Sequence, residues 1–344
     1  MKSNKQYRVL ELFAGAGGLA LGLEIAGFSS VGLVELDKQA SSTLRINRPN
    51  WNVFNMDIKE FNLNLNTYIN SELEIDLISG GFPCQPFSYA GMRLGLQDTR
   101  GTLFFEFANV VHKIRPRVVL AENVKGLKTH NNGKTLETIL RTFDDIGYNV
   151  QYRILNSNNY DVAQKRERML IIGIRKDLLN IYQYPTPSNK KLVLKDILKD
   201  VPLSEGAKYP ENKKKVLELV PPGGCWRNLP EEIAKEYMAG SYFLGGGKTG
   251  MARRISWDEP SLTLTCSPAQ KQTERCHPDE TRPFTIREYA RIQSFPDNWE
   301  FCGSMLNKYK QIGNAVPVNM AKHIGISIIN YLDGKTYASR QKQV

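Results

Sequence analysis

The hydrophobic positions in the first half of the chain follow two alternating patterns. Short apolar runs of strand length recur, and between them lie longer segments whose apolar residues repeat at helical spacing. A strand–helix–strand alternation of this kind predicts an α/β fold with a mainly parallel sheet and helices on both faces. The predicted strands are 7–13, 30–36, 51–56, 75–79, 117–122, 149–156 and 168–174, and the predicted helices include 17–28, 102–114 and 134–147.

The pattern changes near residue 178. From there to residue 282 the chain is rich in Pro, Gly, Lys and Arg and shows weak periodicity. Ordered patterning returns after residue 282 and ends in a helical segment near the C-terminus. These changes predict an α/β domain over 1–177, a small loop-rich domain over 178–282, and a C-terminal segment over 283–344 that packs back on the first domain.

The balance of charges points to a class of partner. The 344 residues include 46 Lys or Arg and 35 Asp or Glu, which gives a net charge of +11. This excess favours a polyanionic partner such as nucleic acid, although a merely basic soluble protein has the same composition. The chain has no apolar run of membrane-spanning length and no signal-peptide pattern, so we expect a cytoplasmic protein. Five scattered cysteines without a CxxC pair indicate reduced thiols and no metal site.

A glycine-rich loop follows the first predicted strand. The run Gly-Ala-Gly-Gly-Leu-Ala at 15–20 satisfies the G-x-G-x-x-G/A fingerprint of dinucleotide sites, and Glu35 follows about 20 residues on. An NAD-dependent dehydrogenase has the same pattern. Between Glu11 and Asp37, however, the chain carries acidic residues and no Lys or Arg. These surroundings suit a cationic ligand, such as S-adenosylmethionine, better than a pyrophosphate.

Polar and glycine residues also follow the other predicted strands. The carboxyl ends of parallel strands lie along one edge of an open sheet, where ligands bind. We therefore expect these residues to converge on one crevice, although any single one could be an ordinary turn residue. They are Phe13–Gly18, Glu35, Asp57, Gly80–Cys84 and Glu122–Asn123.

Cys84 belongs to this set and lies between Pro83 and Gln85-Pro86. For an isolated cysteine the ordinary interpretation is a buried, inert thiol. Here the flanking prolines stiffen the backbone and remove N–H donors, so the loop can hold a side chain out of the core. Because a thiolate is a strong nucleophile, the sequence favours a nucleophilic role for Cys84.

Six segments, in chain order, resemble the motif set of the cytosine carbon-5 DNA methyltransferases of bacterial restriction–modification systems. The resemblance covers about residues 8–325 and leaves 178–250 without a clear counterpart. It implies a Rossmann-like, S-adenosylmethionine-dependent methyltransferase sheet and a target-recognition domain over 178–282. The six segments are FAGAGG (13–18), GGFPCQPFS (80–88), AENVKG (121–126), QKRER (164–168), REYARIQSFPD (287–297) and QIGNAVPV (311–318).

The resemblance also implies a role for each catalytic position. Cys84 attacks carbon 6 of cytosine, which makes carbon 5 able to accept the methyl group. Glu122 hydrogen-bonds or protonates ring nitrogen N3, and Arg166 and Arg168 grip the flipped base and a nearby phosphate. The cofactor S-adenosylmethionine, which leaves as S-adenosylhomocysteine, is expected to contact Phe13, Ala14, Gly15, Ala16, Gly17, Gly18, Glu35, Asp57, Phe82 and Asn314.

An enzyme that attacks the face of a base must first flip that base out of the duplex. The loop 85–100 beside Cys84 has the glycines and arginines of a closing lid, and the basic segment 178–282 is suited to reading DNA. For any one side chain there, a contact with phosphate or solvent is commoner than base readout. The predicted DNA contacts are Arg93, Arg100, Gln164, Arg227, Lys248, Arg253, Arg254, Thr263, Gln270, Lys271, Gln272 and Arg275.

Three alternatives to a DNA methyltransferase stay open at this point. The first is a tRNA methyltransferase, since a relative with the same motifs methylates tRNA. The second is a DNA-binding regulator that keeps the fold but in which Cys84 and Glu122 have no catalytic role. The third alternative is the dehydrogenase. Our expectation is a monomer that methylates double-stranded DNA and so protects it from a partner restriction endonuclease.

Overall fold

The protein's structure, a computed structural model, describes residues 6–83, 103–178, 181–244 and 250–335. The strands are β1 (Arg8–Leu12), β2 (Ser29–Val34), β3 (Val53–Phe54), β4 (Leu77–Gly80), β5 (Val118–Val124), β6 (Tyr148–Asn156), β7 (Gln164–Lys165), β8 (Glu167–Arg175) and β9 (Ser261–Leu262). The α-helices are α1 (Gly18–Ala26), α2 (Lys38–Asn47), α3 (Ile58–Leu63), α4 (Leu65–Tyr68), α5 (Leu103–Ile114), α6 (Lys134–Asp145), α7 (Leu194–Ile197), α8 (Glu211–Glu218), α9 (Glu231–Met238), α10 (Ile286–Ile292), α11 (Met305–Asn314) and α12 (Val318–Leu332).

Seven of these strands form one sheet in the order β3-β2-β1-β4-β5-β8-β6. β1 pairs in parallel with β2 on one side and with β4 on the other. β2–β3 and β4–β5 are also parallel, whereas β8 runs antiparallel to β5. The strand order therefore reverses at β1, and a ligand crevice is expected at the carboxyl ends of the strands on either side of this point.

Caps and glycines explain why the first helices begin and end where they do. α1 is flanked by Gly17 and Gly27, whose φ values of 85° and 115° lie in the left-handed region that favours glycine. The Asp37 carboxylate caps α2, and the Asp57 carboxylate caps α3 by accepting the backbone N–H of Lys59 at 2.8 Å. Acidic residues after strands thus have a structural use in this fold as well as a possible functional one.

The main hydrophobic core lies on one face of the sheet. Leu10 and Leu12 of β1 belong to it, together with the aromatic rings of Phe104 and Phe107 on α5 and Phe143 on α6. The Phe104 and Phe143 rings meet edge to face, with 5.6 Å between their centroids. Because consecutive strand residues point to opposite faces, Glu11 of β1 faces away from this core.

The chain divides into two compact units. The sheet unit consists of Met1–Leu155, Glu167–Pro187 and Asn319–Val344, and the second unit consists of Asn156–Arg166 and Ser188–Val318. These limits differ from the predicted boundaries, because 156–166 and 283–318 both group with the second unit. Long-range packing, which periodicity does not report, decides this grouping.

Helix α12 belongs to the sheet unit from Asn319 onward and packs beside α1. A Cβ atom on Gly325 would lie 2.6 Å from the Cβ of Ala26, so a glycine is needed where these two helices approach. The hydroxyl of Tyr7 on the N-terminal side of β1 donates a hydrogen bond of 2.8 Å to Asp333, just beyond α12. The C-terminal part of the chain thereby helps to cover one face of the sheet.

The second unit contains short helices and a two-stranded parallel ladder, β7–β9, joined by long irregular segments. Its core includes Tyr209 and Leu217 from the α8 region, Leu229 and Ala234 from the α9 region, and Cys276. Among the described residues of the whole chain, no helix has both the length and the apolar composition of a membrane span. Within the same residues, no group of three or more His, Cys, Asp or Glu side chains could hold a metal ion.

Candidate active site

The loop after β1 is folded around the carboxylate of Glu35. The backbone N–H of Gly15 donates to Oε2 and that of Asp37 to Oε1, both at 2.7 Å. Phe13 has φ 59°, a left-handed conformation that is strained for a residue with a side chain and is often found at functional sites. The structure therefore brings Phe13–Gly18 and Glu35 together at the end of β1, next to the point where the strand order reverses.

Phe82, on the segment after β4, is anchored from two directions. Its buried ring packs against Phe104 and Phe107, with centroid separations of 5.1 and 5.9 Å. Its carbonyl oxygen accepts a hydrogen bond of 2.9 Å from Nδ2 of Asn123, a buried residue at the end of β5. The backbone two residues before Cys84 is thus fixed to β5. Cys84 itself lies outside the described residues.

Glu122 forms an ion pair with Arg168 on the neighbouring strand β8. Oε1 of Glu122 lies 2.8 Å from Nε of Arg168, and both side chains are about one-eighth exposed, at 12%. Burial lowers the pKa of Arg168, and the charge of Glu122 acts in the opposite direction. A Cβ atom on Gly81 would lie 2.9 Å from Oε2 of Glu122, so a side chain at 81 would push the carboxylate out of its present position.

Two predicted contacts of the QKRER segment are turned inward in the second unit. Gln164 is fully buried, where its Nε2 donates to Oε1 of Gln293 at 2.7 Å and its Oε1 accepts from the backbone N–H of Leu264 at 2.9 Å. Arg166 is 1% exposed and donates to the carbonyl oxygens of Leu264 and Asn314 at 3.3 and 3.4 Å. The DNA contact of Gln164 and the grip of Arg166 on base and phosphate stay predictions. Both side chains hold the ends of β7 and β9 in place.

Asn314 also lies in the second unit, at the end of α11. Its side chain is exposed, and Oδ1 is 3.0 Å from the Sγ of Cys266, which donates to it. Burial raises the pKa of the Cys266 thiol, which favours the protonated donor. The neighbouring Gly313 permits a close backbone approach, since a Cβ there would lie 2.7 Å from the carbonyl of Thr265. The cofactor contact of Asn314 stays a prediction.

Three of the predicted DNA contacts are buried arginines. Arg253, Arg254 and Arg275 are buried in the second unit instead of lying at its surface. Arg253 pairs with Glu259 at 2.6 Å, and Arg275 donates to the carbonyl of Glu274 at 2.6 Å. The guanidinium of Arg254 has acceptors at 2.7–3.1 Å, namely the carbonyl oxygens of Val220, Leu217 and His277 and the hydroxyl of Thr281. Buried donors of this kind must be satisfied internally, so in this structure these residues brace the unit.

The other predicted DNA contacts differ in their surroundings. Arg227, Gln270 and Lys271 are exposed, with the Arg227 guanidinium 5.5 Å from the centre of the Trp226 ring. Thr263 is partly buried, and its hydroxyl donates to the carbonyl of Lys165 at 2.9 Å. The side chain of Gln272 is not described, and Arg93, Arg100 and Lys248 lie outside the described residues.

The family model described as C-5 cytosine-specific DNA methylase matches residues 7–330. The chain belongs to this family. Over 97% of its length it is 61% identical to the type II methyltransferase M.Sau96I of Staphylococcus aureus, covering 78% of that protein. It is 59% identical to M.Eco47II of Escherichia coli, over 96% of this chain and 81% of that one.

Solved structures agree with this assignment. A prophage-encoded E. coli protein described as a DNA modification methyltransferase superposes with a TM-score of 0.71 and 26% identity, over 95% of this chain and all of that one. DNMT2 of Spodoptera frugiperda gives 0.66 at 16% identity, over 94% and 100%, which shows the shared fold alone. The predicted family, the Rossmann-like α/β fold and the activity, a DNA cytosine-5 methyltransferase, are confirmed.

Sequence reasoning placed Gly81 and Asn123 at the expected crevice and Gln293 in a motif, but it did not predict their contacts. The close approach at Gly81, the anchoring bond of Asn123 and the bond of Gln293 all depend on partners more than 40 residues away. Glu11 drew attention only as one acid among several. In the structure it is 2% exposed on β1, and burial raises its pKa to about 8. A charged residue inside the apolar run VLELF was the available signal.

Proposed function

We propose that this methylase transfers the methyl group of S-adenosylmethionine to carbon 5 of a flipped cytosine through a covalent adduct of Cys84. We further propose that methylation of one short duplex sequence protects DNA from a partner restriction endonuclease. The observation that carries the mechanism is the arrangement at the ends of β4 and β5. There the Glu122–Arg168 pair lies against Gly81, and Asn123 anchors the backbone that leads to Cys84.

The residues at the end of β1 fit the proposed cofactor. When bound, S-adenosylmethionine supplies an electrophilic methyl group on a positively charged sulfonium. The chain contributes the oriented carboxylate of Glu35, which can accept hydrogen bonds from ribose hydroxyls, and an acidic environment without Lys or Arg from Glu11 to Asp37. The strained loop at Phe13 offers the methionine portion a preformed backbone.

Cytosine carbon 5 is a poor nucleophile until a group adds to carbon 6. In the proposed reaction the Cys84 thiolate forms that sulfur–carbon bond, and Glu122 hydrogen-bonds N3 through a proton, which offsets the charge that builds on the ring. Arg168 holds one carboxylate oxygen of Glu122, so the carboxylate keeps its orientation. After methylation, loss of the carbon-5 proton and of the thiolate restores the aromatic ring.

The second unit is the proposed target-recognition region. Its exposed Arg227, Gln270 and Lys271 have the chemistry for phosphate and base-edge contacts, whereas its buried arginines hold it together. Both named relatives are type II methyltransferases, which supports a role for this chain in a restriction–modification pair.

The test is methyl transfer to unmethylated genomic DNA with S-adenosylmethionine, followed by mapping of 5-methylcytosine. Cys84→Ala is compared with Cys302→Ala, which removes another cysteine, and tRNA serves as a second substrate. Modification of one short DNA sequence by the wild type and Cys302→Ala, but not by Cys84→Ala, supports the proposal. Equal modification of DNA by Cys84→Ala would rule out Cys84 as the nucleophile. Methyl transfer to tRNA alone would rule out DNA as the substrate.

A further inference from the structure

A buried carboxyl group lies next to the glycine loop, and the mechanism above does not use it. Glu11 is on β1, two residues before Phe13, and its side chain is on the face of the sheet that α1 covers. The hydroxyl of Ser79 on β4 donates to Oε2 of Glu11 at 3.4 Å, and the backbone N–H of Ala20 in the first turn of α1 also bonds to it.

The charged and polar groups around Glu11 come from each element packed against it. β2 leads to the acidic Glu35, β4 contributes the Ser79 hydroxyl, and α1 contributes the Ala20 N–H. Burial raises the pKa of Glu11 to about 8, the two hydrogen bonds oppose this rise, and the charge of Glu35 adds to it. At neutral pH the larger share of Glu11 therefore carries a proton in the free protein.

A positive charge that enters this acidic surrounding must favour the ionised form of Glu11. Two opposite charges attract far more strongly in a partly desolvated site than in water, so the effect extends beyond direct contact. The proposed cofactor brings such a charge on its sulfonium, whereas the product S-adenosylhomocysteine has a neutral thioether in the same place. The two ligands share all their other charged groups.

We infer that Glu11 is a charge-sensing positioning residue of the cofactor site, which releases its proton to solvent when S-adenosylmethionine binds and keeps it when S-adenosylhomocysteine binds. This inference rests on the cofactor named in the proposed function. It gives the enzyme an electrostatic means to prefer the methyl donor over the spent product. While no cation is bound, a neutral Glu11 avoids the free-energy cost of a buried charge. Once the sulfonium is bound, the ionised Glu11 stabilises its positive charge.

The direction of the pH effect follows from linkage. Because the complex with S-adenosylmethionine ionises Glu11 at a lower pH than the free protein does, binding releases protons between the two pKa values. Affinity for S-adenosylmethionine therefore rises with pH up to about 8 and then levels off. Each unit by which the pKa falls in the complex strengthens binding by roughly tenfold. Affinity for S-adenosylhomocysteine changes much less over the same range.

Isothermal titration calorimetry tests this without measuring catalysis. Each ligand is titrated into the wild-type protein at pH 7.5 in buffers with different ionisation enthalpies, which gives the number of protons released. Glu11→Gln removes the proposed proton and keeps the shape of the side chain. Glu24→Gln is the matched control, since Glu24 is a partly exposed carboxylate on α1 that pairs with Arg48.

We expect S-adenosylmethionine to release about half a proton or more, and S-adenosylhomocysteine clearly less. The difference should vanish in Glu11→Gln and persist in Glu24→Gln. Equal release for the two ligands in the wild type would overturn the inference, and this comparison needs no variant. A difference that survives in Glu11→Gln would also overturn it. If the protein binds neither ligand, the proposed cofactor and this inference both fail, whereas binding without a proton difference leaves the proposed function intact.

Discussion

In the sheet unit, the polar side chains of the site lie at the carboxyl ends of strands, whereas in the second unit several cationic side chains are buried among backbone carbonyls. Glu35 and Glu122 show the first arrangement, since Glu35 directly follows β2 and Glu122 lies near the C-terminal end of β5. Arg254 and Arg166 show the second. Residues that look equally functional in the sequence are therefore placed at the proposed site in one unit and buried as part of the fold in the other.

The largest effect should come from the carboxylate at the edge of the sheet. Glu122→Gln keeps the size of the side chain but cannot transfer a proton to ring nitrogen N3, so we expect the single-turnover rate of methyl transfer to fall by roughly 10²–10⁴-fold. Glu167→Gln is the control, because Glu167 forms an exposed ion pair with Lys125. A Glu122→Gln enzyme that keeps more than a tenth of the wild-type rate would contradict the catalytic role.

Replacing a buried arginine of the second unit should mainly lower the free energy of unfolding. Arg254→Met leaves several buried carbonyl oxygens without a donor, and we expect the free energy of unfolding to fall by about 3 kcal/mol or more. Urea unfolding followed by tryptophan fluorescence suits this test, since Trp226, Trp257 and Trp299 lie in the second unit.

The exposed Arg227 provides the contrast. Arg227→Met should change the free energy of unfolding by no more than about 0.5 kcal/mol, but weaken DNA binding and reduce its dependence on salt. Equal free energies of unfolding for Arg254→Met and Arg227→Met would contradict the different roles that we assign to buried and exposed arginines.

Substitution of Glu11 should raise the free energy of unfolding at pH 8, whereas substitution of Arg254 should lower it. The unfolded chain ionises Glu11 near pH 4.5, whereas the folded protein does so near pH 8. The unfolded state therefore loses its proton first as pH rises, and this group makes wild-type stability fall between these two values. This fall is absent in Glu11→Gln, so at pH 8 its free energy of unfolding should exceed that of the wild type by on the order of 4 kcal/mol. Thermal unfolding at pH 5 and pH 8 measures the difference, which should nearly disappear at pH 5.

A smaller effect on the rate than that of Glu122→Gln concerns the anchor of the Cys84 segment. Asn123→Ala removes the donor to the Phe82 carbonyl, and we expect the rate of methyl transfer to fall by roughly tenfold, equivalent to about 1.4 kcal/mol, while affinity for the cofactor stays the same. Val124→Ala, a change at the adjacent exposed position, is the control. A loss of stability in Asn123→Ala without any change in the rate would show that the bond is structural and not part of the positioning of Cys84.

The sequence predicted most of the sheet unit because its signals are local. Apolar runs marked strands such as 7–13, observed as Arg8–Leu12, and the helical pattern of 102–114 is observed as Leu103–Ile114. The antiparallel placement of Glu167–Arg175 beside Val118–Val124 was not predicted, because periodicity does not report which strands pair or in which direction. Motif order was enough to predict the family and the activity.

Tertiary structure decided which polar side chains are buried and which are exposed. Strand length, helix caps and the order of motifs follow from residues close together in the chain, so they can be read without coordinates. Whether Arg254 meets phosphate or carbonyl oxygens depends on segments as far apart as Leu217 and Thr281. The raised pKa of Glu11 is also a tertiary property, because it comes from the burial of this carboxyl group inside the fold. Burial and charge environment are properties of such long-range contacts, and they convert ordinary residue types into structural braces or proton carriers.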